Sequence, residues 1–151
     1  MAGVMMVKQS GTRATGFGET DAGYLAAPVA KPRSFTYREV ETGIPAADLR
    51  DLIGHGLTRD DIRLVIPDRT LDRRIAKGEA LKPAEADGIA RLLRVRAQAE
   101  ELFENAENAD LWLRLPNPAL GEQIPIQMAR SDIGAREVET ILGRLAHGVY
   151  S

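Results

Sequence analysis

The stretch Pro83-Ala84-Glu85-Ala86-Asp87-Gly88-Ile89-Ala90-Arg91-Leu92-Leu93-Arg94-Val95-Arg96-Ala97-Gln98-Ala99-Glu100-Glu101-Leu102-Phe103 decides the fold. Proline suits the first turn of a helix, where its missing N–H is no loss. Behind it, Ile89, Leu92, Leu93, Val95, Ala99, Leu102 and Phe103 recur close to the period of one helical face. The pattern predicts a central helix of about twenty residues. Arg91, Arg94 and Arg96 fall mainly off its apolar stripe.

Toward the N-terminus the punctuation stays helical. Pro45 suits a first turn, Leu49, Leu52 and Ile53 share a face, and Gly54 and Gly56 end that segment. Thr58 followed by Asp61 reads as a relative of the capping box, and Ile62, Val65 and Ile66 form the buried stripe behind it. Pro67 stops that helix, because the residue before a proline is pushed out of helical geometry. Asp68 is placed to cap the next one, with Leu71 and Ile75 facing inward and Gly78 at its end.

Toward the C-terminus, residues 106–115 carry Trp112 and stop at Pro116. A connection rich in Pro and Gly follows, and Ser131 or Asp132 then caps a last helix with Val138, Ile141, Leu142 and Leu145 at 0, 3, 4 and 7. No strand pattern is evident after Ser34. Residues 1–33 show no sustained period and read as a flexible tail, with Met5, Met6 and Val7 leaving room for a short added strand. The predicted fold is an all-α helical bundle. It comprises a tail over 1–33, a helix-turn-helix-like module for DNA binding or dimerisation over 34–98, and a C-terminal helical module over 99–151.

Composition narrows the function. The 151 residues are 44% hydrophobic and 28% charged, normal for a chain with a true core. A net charge of −2 excludes a uniformly basic nucleic-acid coat but leaves room for a local basic patch. There are no cysteines, so disulfides and thiolate metal sites are excluded. No apolar run at the N-terminus has the length of a signal-peptide core, and none elsewhere could span a bilayer, so a cytoplasmic protein is expected. The two histidines, His55 and His147, each sit beside a glycine at a helix end, where imidazole bonds the last carbonyls. Gly16-Phe17-Gly18 lacks the following helix that a dinucleotide fingerprint needs. The expectation is a binding protein with no catalytic residue, metal or cofactor.

Two surfaces carry that expectation. Thr58 to Lys77 is helix, tight turn, helix, the outline of a helix-turn-helix. On its second helix Arg69, Arg73, Arg74 and Lys77 outnumber Asp72, with Arg69 and Arg73 turned most directly outward. They would reach phosphates or guanine edges; the competing reading is an ordinary solvated face, with Asp60, Asp61, Asp68 and Asp72 weakening attraction to DNA. The C-terminal third has nine acidic residues against four basic, a net of −5 that suits a basic protein partner. Trp112 is either core or interface anchor, and Tyr150 lies past the last helix, where it is harder to bury at home.

These segments together resemble the Xre-type antitoxins of bacterial toxin–antitoxin pairs, the group with MbcA- and ParS-like members. Arg69-Thr70-Leu71-Asp72-Arg73-Arg74 is similar to the family's R-T-L-x-R-R run. Leu81-Lys82-Pro83-Ala84-Glu85 follows it, with Lys82 standing where the family usually has a Ser or Thr cap. Trp112-Leu113-Arg114-Leu115-Pro116-Asn117-Pro118-Ala119-Leu120-Gly121 is similar to W-L-x-x-P-N-P-A-L-G. Asp132 to Ala135, Val138 to Arg144 and the closing Gly148-Val149-Tyr150-Ser151 continue the match.

The resemblance implies a homodimeric antitoxin whose helical N-terminal module binds operator DNA through Arg69, Thr70, Arg73, Arg74 and Lys77. It implies that the C-terminal module binds a RES-domain toxin that degrades or uses NAD, covering its pocket through Trp112, Asn117, Leu120, Arg144 and Gly148 to Ser151. Tyr150 or the Ser151 carboxylate would then meet the basic residues that receive dinucleotide phosphates. A second reading is a stand-alone transcriptional regulator with an acidic dimerisation domain. Within the first, the helix-turn-helix is either a DNA reader or mainly a dimerisation scaffold.

Overall fold

The computed structural model describes residues 34–53 and 56–148. The expectations for residues 1–33, for His55 and for Val149, Tyr150 and Ser151 lie outside the described residues.

Local signals start most helices. Thr36 opens α1 (Tyr37–Thr42) by accepting from Glu39 N, while the Glu39 carboxylate accepts from Thr36 N at 2.8 Å. Pro45 leads into a 3₁₀ turn, Ala46–Asp48, that runs into α2 (Leu49–Leu52). Leu49 and Leu52 are buried, but Ile53 ends α2 in extended backbone and is exposed, so it does not share their face. Thr58 and Asp61 form a complete capping box at α3 (Arg59–Arg63), with bonds of 2.8 and 3.2 Å. That helix is shorter than its apolar stripe, and Val65 and Ile66 lie in the turn after it, Ile66 fully buried.

Helix α4 (Asp68–Lys77) begins directly after Pro67. Asp68 occupies its first helical position rather than the cap, and its carboxylate turns to Arg59 and Arg63. Helix α5 (Pro83–Phe103) is the predicted central helix. Lys82 offers no acceptor to cap it. Glu85 compensates by accepting from Lys82 N at 2.8 Å, which is half of a capping box. Gly88 has a packing reason: a Cβ there would stand 2.5 Å from Val65 Cγ1, so the turn after α3 lies directly on α5.

Asn105 caps α6 (Ala106–Arg114), a second 3₁₀ turn covers Pro118–Leu120, and α7 (Pro125–Met128) leads to α8 (Asp132–Ala146). Of the two candidate caps for α8, Ser131 does the work, its Oγ accepting from Gly134 N at 3.1 Å. Among the described residues there is no strand, only isolated bridges such as Pro45 to Ala80 and Asn117 to Gln123. The all-α expectation holds.

Helix α5 packs chiefly against α6 and α8. Its buried face, with Ile89, Leu92, Leu93, Val95 and Ala99, belongs to one apolar cluster running from Ile44 to Leu142. The module boundary expected at 98/99 therefore falls inside α5, and a single core serves both sides of it. Arg96, expected off the apolar stripe, is only 3% exposed. Among the described residues no helix is long and apolar enough to cross a membrane.

Candidate functional site

Three regions follow from this packing: the outer face of α4, a buried polar joint, and the outer side of α8.

On α4, Arg69, Arg73 and Lys77 are exposed and Thr70 is partly so. Arg74 departs from the expectation. It is 5% exposed, donates to Ala80 O at 3.0 Å and pairs with Glu85 at 3.1 Å. A guanidinium sealed against the start of α5 holds the fold and is not available to a phosphate. The reason is its place on the helix, three residues beyond buried Leu71 and so on the inward side.

The aspartates expected to oppose DNA have partners of their own. Arg59 donates to Asp68 at 3.0 Å and Asp72 at 2.7 Å, and Arg63 pairs with Asp68 and Asp60. Arg63 beside it, with Arg59, holds the Asp68 carboxyl below its ordinary range, and Asp72 with Asp68 raises the Arg59 guanidinium. Arg73 has a looser neighbour, Glu79 at 3.6 Å, while Arg69 and Lys77 have no ion pair among the described residues. The arginines of α3 thus offset the acids, leaving the α4 face net basic.

The joint lies where α3, α5 and α6 meet. Arg114 donates from both terminal nitrogens to Asp61, at 2.6 and 2.8 Å. Asp61 is 2% exposed and also closes the α3 cap. Burial pushes its carboxyl up, but bonds from Arg114 and the Thr58 backbone outweigh that and hold it below its ordinary value. The same bonds raise Arg114. Asp110, 3.5 Å from Arg114, also accepts from Arg96, whose Nε lies 2.8 Å from Glu100. Gly56, at φ +116°, lets the loop before α3 close over this guanidinium; a Cβ there would stand 2.2 Å from Arg96 Nε.

The C-terminal expectations divide. Trp112 is partly buried and packs against Phe103, ring centroids 6.1 Å apart, on the core side of its two readings. The Asn117 side chain accepts from Ala119 N at 2.9 Å and so shapes the Pro118–Leu120 turn. Leu120 is nearly buried, yet with exposed Arg144 it lines a shallow groove of about 370 Å³. Gly148 is exposed and distant in sequence from that turn.

Sequence reasoning missed the exposed Ile133, Leu111 and Leu115, and the Asp61–Arg114 and Arg96–Asp110 pairs. For Ile133 a signal existed: it lies five residues before Val138, off the stripe that runs back through Ala135 and Gly134.

Comparison with known proteins adds the following. The family model for the antitoxin Xre/MbcA/ParS C-terminal toxin-binding domain matches residues 98–148. The chain is 32% identical over 148 residues to the Xre antitoxin of Yersinia enterocolitica, covering 85% of this chain and 98% of that protein. It is 32% identical over 113 residues to the Xre antitoxin of Pseudomonas putida, with 74% and 71% covered. It is also 32% identical over 84 residues to that of Photorhabdus laumondii, with 55% and 57% covered.

Proposed function

The chain belongs to the Xre family of antitoxins, and on that premise we propose that it neutralises a RES-domain, NAD-degrading toxin by covering the toxin's active site. The observation that carries this reading is the match of residues 98–148 to a toxin-binding domain, in the third of the chain with the acidic excess. The mode of action is occupancy rather than chemistry, in the cytoplasm, with residues 149–151 among those that meet the toxin pocket.

Repression of its own operon is the second part of the proposal. The exposed Arg69, Arg73 and Lys77, with Thr70 beside them, favour it, because the neighbouring aspartates are taken up by Arg59 and Arg63. A homodimer would present two such α4 helices to two half-sites.

Co-expression of the chain with the adjacent toxin gene tests the first part. Growth restored by the chain supports neutralisation. Unrelieved arrest, together with binding to upstream DNA, would favour the stand-alone regulator.

A further inference from the structure

Ile133 is 73% exposed on the first turn of α8, and it stands between two grooves. On one side Ala119, Leu120 and Ile141 line an apolar groove together with Arg136, Arg144 and Glu137. On the other, Gln123, Gln127 and Glu137 give a polar groove of about 350 Å³. A single exposed isoleucine is unremarkable. A protruding one with a recess on each side, one of them apolar, has the form of an interface centre with a polar margin.

The support beneath it is firm. Ser131 caps α8 directly under Ile133, and Ala135, Val138 and Leu142 anchor the inner face of the helix. The outer turn is pinned in the same way, Asn117 holding Ala119 and Glu122 through side chain and backbone. A surface built this way loses little freedom on binding, and such preorganisation favours affinity.

Charge indicates what fits. The C-terminal third is net negative, yet along the apolar groove two arginines, Arg136 and Arg144, stand against one glutamate, Glu137. Arg144 has no ion pair among the described residues, and Arg136 is held only by the exposed Asp132. The surface therefore suits an apolar projection flanked by carboxylates.

We infer that the Ile133 ridge with the Leu120/Ile141 groove is the face of this chain that seats the toxin, receiving an apolar side chain bordered by acidic residues. This rests on the reading that residues 98–148 hold a toxin; it goes further in assigning the contact to the outer face of α8 and the Pro118–Leu120 turn. The exposed Leu111 and Leu115 line neither groove and serve as the internal control.

The experiment is calorimetric titration of the full chain with the adjacent-gene toxin, inactivated so that it can be purified alone. Ile133→Asp and, independently, Ala119→Glu should each weaken binding about 30-fold or more. Arg144→Glu should weaken it about tenfold, and Leu111→Gln with Leu115→Gln should leave it within about twofold. Circular dichroism should show each variant folded, since every site is on the surface. Absence of binding by the unaltered chain would overturn the antitoxin reading itself. Binding by the unaltered chain that survives both Ile133→Asp and Ala119→Glu would overturn only this inference. Dissociation of a homodimer by Ile133→Asp, with toxin affinity intact, would also overturn it and assign the ridge to a second copy.

Discussion

Arg114 on α6 holds both carboxylate oxygens of Asp61 on α3, at 2.6 and 2.8 Å, across 53 residues of chain. Asp61 is at once the partner of Thr58 in the α3 capping box and the anchor for α6, which lies in the segment matched by the toxin-binding domain model. The two regions with expected functions thus share, besides α5 and one apolar core, a partly buried bidentate pair rather than a free linker. Removing one partner of such a pair leaves a charge uncompensated, which costs more than the pair contributes.

Arg114→Ala should therefore destabilise the fold by about 2–3 kcal/mol, less than for a fully buried pair because Arg114 is one-third exposed. Urea unfolding checks this. A midpoint unchanged from the unaltered chain would show that the contact is incidental.

Acid should act through the same group. The Asp61 carboxyl lies below its ordinary value of 3.8 when folded, so the unfolded chain binds its proton first on acidification. Its contribution is complete above about pH 4 and is lost as the pH falls through the folded value. Asp61→Asn should flatten the acid limb of stability below about pH 4, where the unaltered chain loses stability. Equal slopes in the two proteins would assign the acid response elsewhere.

At Gly56, a change to Ala combines strained backbone at φ +116° with a Cβ placed 2.2 Å from Arg96 Nε. A loss of about 2–3 kcal/mol is expected, read from thermal or urea unfolding.

On α4 the basic residues should separate by role. Arg69→Ala with Arg73→Ala should weaken operator binding about tenfold or more and lower its salt slope, with stability unchanged. Arg74→Ala should instead destabilise the fold, by about 3 kcal/mol, since Glu85 loses its buried partner. Gel-shift titrations at two salt concentrations, alongside unfolding curves, distinguish the two effects.

These residues also mark how far sequence reasoning reached. Helix ends governed by neighbours in the chain were legible: Gly78, Pro83, Pro116 and Ser131 all punctuate where expected, whereas α3 ends at Arg63, before the Pro67 expected to stop it. Ile53 and Asp68 show the margin of error, where a turn or a competing arginine displaced the local preference. Arg74, Arg96 and Asp61 were not legible as buried groups. Their burial depends on partners supplied by other elements, such as Glu85, Asp110 and Arg114, and periodicity contains no information about those. On the toxin side, Asn117 and Leu120 were expected as contacts, and the structure gives the first a local task in shaping a turn. Ile133 could have been read from its position off the stripe.

Deletion of residues 149–151 should leave the unfolding curve unchanged; among the described residues the last buried one is Leu142. Toxin inhibition by the shortened chain should fall, measured as the concentration needed for half-inhibition. Equal potency would remove the tail from the proposed contact.

The most direct measurement titrates the chain into the purified toxin of the adjacent gene while NAD consumption is followed. The account predicts complete, stoichiometric inhibition by the full chain. NAD consumption unaffected by an excess of the full chain would contradict it.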